Sequence, residues 1–175
     1  MRIISGKYRG RILKSPVSNK VRPTADRAKE AIFSSLEAMV GINGISFLDA
    51  FCGSGAIGIE AMSRGADDVY LMDIDTKLAR DNASSYKDES IKILTGDVLN
   101  PLQSNKAMDV VFIDPPYQMQ AGSKSIKSLI DAGWANEETL FVVETDKDDE
   151  SIVADEYSMC DVKKYGNTVV YYVMV

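Results

Sequence analysis

Four aspartates stand at the ends of four apolar runs in this chain. Asp49 follows Ile45–Leu48, Asp73 follows Asp68–Met72, Asp97 comes just after Ile91–Leu94, and Asp114 follows Met108–Ile113. Any one of them alone would read as a solvated turn residue or a helix cap. Together, at the ends of strands in one sheet, they would collar a single ligand that offers amino and hydroxyl donors. The stretch after Asp49 suits such a ligand, because Gly53 and Gly55 bracket Ser54 and open directly into the small-residue run Ala56–Ser63. Glycines accept positive φ and let a ligand lie against bare backbone, and a helix that starts there presents unpaired N–H groups. Gly53, Gly55 and Gly58 satisfy G-x-G-x-x-G, and Asp73 lies twenty residues beyond Gly53. An adenosine-containing ligand is therefore expected, and on this segment alone a dinucleotide and S-adenosylmethionine both fit. Asp73 is placed to accept from ribose hydroxyls and Asp97 from the adenine amine. Phe51, Ser54, Ile74 and Val98, which flank these groups, are candidate cofactor contacts. Asp49 precedes the glycines, where a carboxylate suits an ammonium better than a pyrophosphate, and this tilts the reading toward S-adenosylmethionine.

Asp114-Pro115-Pro116-Tyr117 adds a second kind of site. Two prolines fix the backbone after a strand and remove two N–H donors, which leaves carbonyls and a carboxylate facing one place. An exocyclic amine has two N–H groups. Asp114 and the Pro115 carbonyl can accept both and aim the nitrogen lone pair outward, while Tyr117 offers a ring on which an extruded base can stack. The plainer reading is a proline turn with a packing tyrosine. The position at a strand end beside the glycine turn favours amine recognition.

The elements that must hold these groups follow from hydrophobic periodicity. From Ile45 onward strands alternate with helices, the pattern of a parallel α/β sheet with crossover helices. Expected strands are Ile45–Ala50, Asp68–Met72, Ile91–Leu94, Met108–Ile113 as a buried central strand, and Thr139–Val143. Helices are expected over Ala56–Ser63, Lys77–Tyr86 and Ser125–Ala132, and Tyr157–Val162 with Thr168–Val175 should form an antiparallel edge hairpin. Before the sheet, Arg2–Ser5 and Gly10–Lys14 read as a small hairpin or clasp. Pro23 is expected to hold the chain extended and Thr24 to cap a helix whose apolar stripe is Ala28, Ala31, Ile32, Phe33, Leu36 and Met39. The division is a basic clasp over residues 1–22 and a main domain over 23–175.

At 175 residues and 45% hydrophobic the chain has the size of one domain with a full core. The absence of histidine removes histidine-based zinc sites and Ser-His or Cys-His nucleophiles, and two cysteines cannot build a structural zinc site, so no metal is expected. No run approaches the roughly 20 apolar residues of a membrane span, so the cytoplasm is the expected location, no membrane partner is expected, and free thiols rather than a disulfide. The net charge of −6 is unevenly placed: residues 1–29 carry +8 and the remainder −14. A basic arm on an acidic body points to a polyanion met at one end.

The Asp-Pro-Pro-Tyr motif resembles that of S-adenosylmethionine-dependent amino-methyltransferases. The opening Met-Arg-Ile-Ile-Ser-Gly-Lys-Tyr-Arg-Gly-Arg-Ile-Leu, then Arg22-Pro23-Thr24-Ala25-Asp26-Arg27 with Glu30 and Phe33, then Asp49–Gly58, are similar to the bacterial small-subunit ribosomal RNA guanine-N2 methyltransferase D (RsmD) family. The resemblance covers nearly the whole chain. It implies a Rossmann-like, seven-stranded class I methyltransferase fold with a small N-terminal hairpin extension, acting on a guanine amine of ribosomal RNA in an assembling small subunit, as a monomer. It also implies that Asp49, Gly53, Gly55, Asp73 and Asp97 hold the cofactor and Asp114–Tyr117 the base, and that Lys7, Arg9, Arg11, Arg22, Thr24 and Arg27 meet RNA or close over the site. Asp73 departs from the glutamate such proteins often carry. Two rivals use the same features: an NAD-dependent oxidoreductase on the glycine turn, and a non-catalytic RNA-binding module on the basic arm. DNA amines are chemically equivalent targets, from which the N-terminal pattern separates this chain.

Overall fold

The computed structural model describes residues 1–15, 23–86, 89–116, 119, 121–147, 152 and 157–175. Helix α1 (Pro23–Met39) begins at Pro23 itself, so Thr24 lies inside the first turn rather than capping it. Proline suits that place, where its missing N–H would have had no helical partner. The stripe of α1 buries Ile32, Phe33 and Leu36, whereas Met39 is exposed at the helix end, where the chain turns away through Gly41 at φ 69°.

The remaining elements are β1 (Ser46–Ala50), α2 (Ala56–Ser63), β2 (Asp68–Asp73), α3 (Lys77–Ala83), β3 (Ile91–Thr95), β4 (Val110–Ile113), α4 (Gly122–Asp131), β5 (Leu140–Asp146), β6 (Ser158–Tyr165) and β7 (Thr168–Met174). They build one seven-stranded sheet in the order β3-β2-β1-β4-β5-β7-β6, parallel from β3 to β5, with β7 antiparallel to both β5 and β6. β1 and β4 are buried on both faces because helices cover both. One core holds Phe33, Leu36, Phe47, Ile59, Phe112 and Val142 under α1 and α2. The other holds Leu48, Val111, Ile113, Leu129, Phe141 and Trp134 under α4. Strands run outward in both directions from the β1–β4 pair, which makes the carboxyl ends of those two strands the switch point where ligands bind in such sheets.

The N-terminal clasp is paired by one antiparallel bridge, Arg2 with Ile12, rather than by two full strands. Ile3 and Leu13 reach into the core under α1 and α2. Its backbone docks on α2: Lys7 N donates to the Ser63 carbonyl at 2.7 Å and Tyr8 N to Ser63 Oγ at 3.0 Å. Gly6 permits this contact, since a Cβ there would stand 1.7 Å from the Ser63 carbonyl oxygen. Among the described residues no helix is long and apolar enough to cross a membrane, and no group of three or more potential metal ligands occurs.

Candidate active site

β1 delivers its last side chains to the switch point. Asp49 is 2% exposed and its Oδ2 accepts from Gly58 N at 2.8 Å, a bond that ties the strand end to the first turn of α2. Gly58 lies so close to the sheet that a Cβ would meet Leu71 at 2.3 Å, Val69 at 3.1 Å and the Asp49 Cβ at 3.2 Å. The third glycine therefore serves close packing of helix on sheet. Burial pushes the Asp49 carboxyl up to about 7; the Gly58 bond opposes this, and the Asp114 and Asp73 charges add to it. Next comes Phe51 at φ 61°, the one non-glycine among the described residues with positive φ, a strained backbone of the kind that collects at ligand sites.

The glycine turn meets β2 through Asp73, whose Oδ2 accepts from Gly53 N at 2.8 Å and whose Oδ1 accepts from Asp75 N at 3.1 Å. Gly53 is exposed, and a Cβ there would meet nothing within 4 Å, so the turn presents open backbone. Ser54 is buried, and its carbonyl accepts from Asn82 of α3 at 2.9 Å. Cys52 is buried too, and burial drives its thiol far above the ordinary range, which makes it an inert packing group.

Two cavities share Phe51 and Asp114. The first, about 460 Å³, is lined by Phe51, Asp73, Ile74, Asp97, Val98, Asp114, Pro115, Pro116 and Met119. Apolar walls with a few carboxylates at the rim, in a volume of this order, suit a nucleoside. Ile74 is 74% exposed there, a large apolar side chain with one face open to a planar ligand. Asp97 Oδ1 also closes its own turn by accepting from Leu99 N at 2.9 Å. The second cavity, about 350 Å³, lies on the α1 side and includes Asp49, Gly53, Ser54, Phe112, Asp114, Glu144 and, from α1, Asp26 and Lys29.

The structure thus brings together Asp49, Phe51, Gly53, Ser54, Asp73, Ile74, Asp97, Val98, Asp114, Pro115 and Pro116, with Gly55 at φ 75° as the residue that starts α2. Asp114 opens to the cavities while protein crowds behind its carboxyl, and that desolvation raises it to about 6. Tyr117, Arg22 and the side chain of Thr24 lie outside the described residues. Of the remaining candidate cations, Lys7 and Arg11 meet at the Tyr8 ring, and Arg9 and Arg27 share no such contact among the described residues. Lys7 Nζ pairs with Glu89 at 2.6 Å, Arg11 lies over the rings of Tyr8 and Tyr86, Arg9 is exposed on the clasp, and Arg27 lines a groove with Arg2 and Glu30.

Glu144 is the site residue that sequence reasoning missed. The expected strand stopped at Val143, whereas β5 continues to Asp146. The signal was present: Phe141-Val142-Val143-Glu144 is a fifth apolar run ending in a carboxylate. Burial, then the Asp114 charge, push Glu144 up to about 8.

The family model described as conserved hypothetical protein 95 matches residues 1–174. A curated relative from Haemophilus influenzae, ribosomal RNA small subunit methyltransferase D, is 35% identical over 174 residues, which cover 95% of this chain and 89% of that protein. A solved structure described as a putative methyltransferase from Escherichia coli superposes with a TM-score of 0.82 at 31% identity, covering 99% of this chain and 97% of that one. A shorter match, 32% identical over 97 residues, covers 51% of this chain and 28% of a tRNA (guanine(10)-N2)-dimethyltransferase from Methanothermobacter thermautotrophicus.

Proposed function

We propose that this chain, which belongs to the ribosomal RNA small subunit methyltransferase D family, methylates the exocyclic N2 amine of a guanine in small-subunit ribosomal RNA with S-adenosylmethionine as donor. The observation that carries the reading is the position of Asp114 at the border shared by the two cavities, with Pro115 and Pro116 lining the first. The first cavity has the apolar walls and carboxylate rim that a nucleoside needs, with Asp73 and Asp97 as acceptors and Ile74 as a stacking face. The second offers Asp49 and the exposed Gly53 backbone to an ammonium and carboxylate. S-adenosylmethionine, when bound there, supplies an electrophilic methyl group.

The protein's own part is to orient and desolvate the amine. Asp114 and the Pro115 carbonyl accept its two N–H groups, so the nitrogen lone pair points away from them toward the border of the cavities. Positive charge that grows on nitrogen during transfer is stabilised by the Asp114 carboxylate. The released proton passes to Asp114 or to solvent. This role needs Asp114 ionised, which its value of about 6 permits at neutral pH. In this reading residues 1–22 and Arg27 form the RNA-facing clasp, residues 23–175 the catalytic domain, and Tyr117 the stacking ring. The match to a guanine-N2 dimethyltransferase supports the choice of amine.

The test is incubation with labelled S-adenosylmethionine and small-subunit particles that lack the modification, followed by mapping of the labelled nucleoside. Label in N2-methylguanine of the small-subunit RNA is the expected result, and label in any other nucleoside rejects the assignment. Asp114→Ala should abolish transfer while cofactor affinity stays close to wild type.

A further inference from the structure

Glu144 shares a cavity wall with the amine-binding motif, yet the chemistry above does not use it. Ile113 of β4 and Val143 of β5 are paired in register, so Asp114 and Glu144 are each the next residue along. Both project to the α1 face, two positions beyond Phe112 and Val142, which lie in that core. Both line the second cavity, close enough for the Asp114 charge to act on Glu144. Their backbone settings differ. The chain leaves the sheet at Asp114, but Glu144 is held within β5 and paired across to Val170 of β7. Among the described residues neither carboxyl has a hydrogen-bond donor or a cation partner. The groups that face Glu144 are Asp114, Asp49 of β1, Asp26 and Lys29 of α1, Cys52 of the glycine turn and Tyr172 of β7. Lys29, the cationic side chain among them, is committed elsewhere: its Nζ stands 3.1 Å from Glu60 and donates to the Arg2 carbonyl at 2.7 Å; Met1 of the clasp, with its α-amino group, also lines the cavity.

We propose that Glu144 is the positioning residue for Asp114: as a neutral acid it donates its O–H to the Asp114 carboxylate and fixes the oxygens that receive the amine. The inference rests on the functional reading above, in which Asp114 holds the amine; the cavity counts as the transfer site for that reason and not for its acidity. Two ionised carboxylates this close repel, so the pair keeps one proton near neutral pH. The rigid strand carries the proton and the freer loop carries the charge. That division suits an acceptor which must adjust to a base and then stay in place.

Two measurements on the full chain test it. The first is a titration of 13C-labelled carboxyl groups by NMR, with the Asp114 signal assigned through D114N. Glu144→Gln keeps a neutral donor to the Asp114 carboxylate, so the Asp114 midpoint should stay close to wild type, whereas Glu144→Ala removes the donor and should move that midpoint to higher pH. An Asp114 midpoint in E144A equal to wild type overturns the inference. The second is the pH dependence of methyl transfer to unmodified small-subunit particles. Wild-type turnover should decline as Glu144 ionises on the alkaline side; E144Q should lack that decline and keep its acid limb, because Asp114 ionises while Glu144 is still neutral. Glu144→Ala, which has no donor, should lose roughly tenfold or more at neutral pH. An alkaline decline that persists in E144Q also overturns the inference. Folded wild type that binds the cofactor but methylates no guanine would instead count against the functional reading, while the titration would still decide the carboxyl pair.

Discussion

Asp49 holds its proton to a higher pH than an ordinary aspartate because β1 buries it and because Asp114 and Asp73 lie near. A carboxyl raised in the folded state binds protons that the unfolded chain has already lost. Its contribution to stability is therefore full below the ordinary aspartate range and is lost as pH rises through about 7. A ligand ammonium reverses the balance by favouring the charged form. S-adenosylmethionine binding should then release a proton, and affinity should rise between about pH 5.5 and 7, by at most about tenfold per pH unit for one linked proton. Calorimetry in buffers of different ionisation enthalpy reads the released proton directly. Asp49→Asn should remove the pH dependence while weakening binding at neutral pH; a dependence that survives in the variant would assign the linkage to another group. At this scale the sequence was informative. Asp49, Asp73, Asp97 and Asp114 were found by one rule, an apolar run ending in a carboxylate, and all four face the two cavities. Glu144 obeys the same rule and escaped only because its strand was ended too early.

The elements explain that miss and one other. Beyond Val143 the chain reads Glu-Thr-Asp, polar enough for a turn, but β7 pairs with β5 as far as Asp146 and Thr145 is buried. Long-range pairing overrode local composition. The clasp's alternation was weak because its apolar residues are adjacent, and only one bridge forms. What holds it is a contact no local pattern predicts. Glu60 of α2 is fully buried and accepts from Ile4 N at 2.8 Å and Ser5 N at 3.0 Å, with Lys29 Nζ at 3.1 Å and Arg64 Nε at 2.9 Å. One carboxylate thus ties clasp, α1 and α2 together. Glu60→Ala would strand two backbone donors and leave the buried Lys29 uncompensated, at a cost of about 3–5 kcal/mol. For a chain of this size the melting midpoint should fall by roughly 6–20 °C. Proteolysis of the variant should begin in the clasp, within Lys7–Arg11. Initial cleavage in the α4 region would mean that Glu60 supports the domain generally instead of anchoring this element.

For the whole molecule the question is how much of the +8 in the first 29 residues is available to RNA. Folding pairs part of it with carboxylates, one of them Asp26 within the same segment and the others on the acidic body. Arg2 pairs with Asp26 at 3.3 Å, Lys7 with Glu89 at 2.6 Å, Lys14 with Asp81 at 3.3 Å, and Lys29 is buried against Glu60. Glu89 also accepts from the Tyr8 hydroxyl, and Arg11 lies 4.8 Å from the Tyr8 ring centroid and 5.5 Å from that of Tyr86. Arg9 and Arg27 carry no such contact among the described residues. Exposed pairs of this kind are weak because solvent screens them, so they restrain the lysines without removing them from reach. A cation that must first leave a carboxylate contributes less to counterion release than one that is already free. Arg9→Ala and Arg27→Ala should therefore each reduce the slope of log K against log salt for RNA binding by about 0.7–0.9. Lys7→Ala should change that slope by clearly less, because phosphate contact by Lys7 is offset by exposure of Glu89 beside the RNA. Filter binding of a small-subunit RNA fragment over a range of salt concentrations checks all three variants. Equal losses for Lys7 and Arg9 would show that the ion pairs open on binding, and would restore the full basic arm as the footprint.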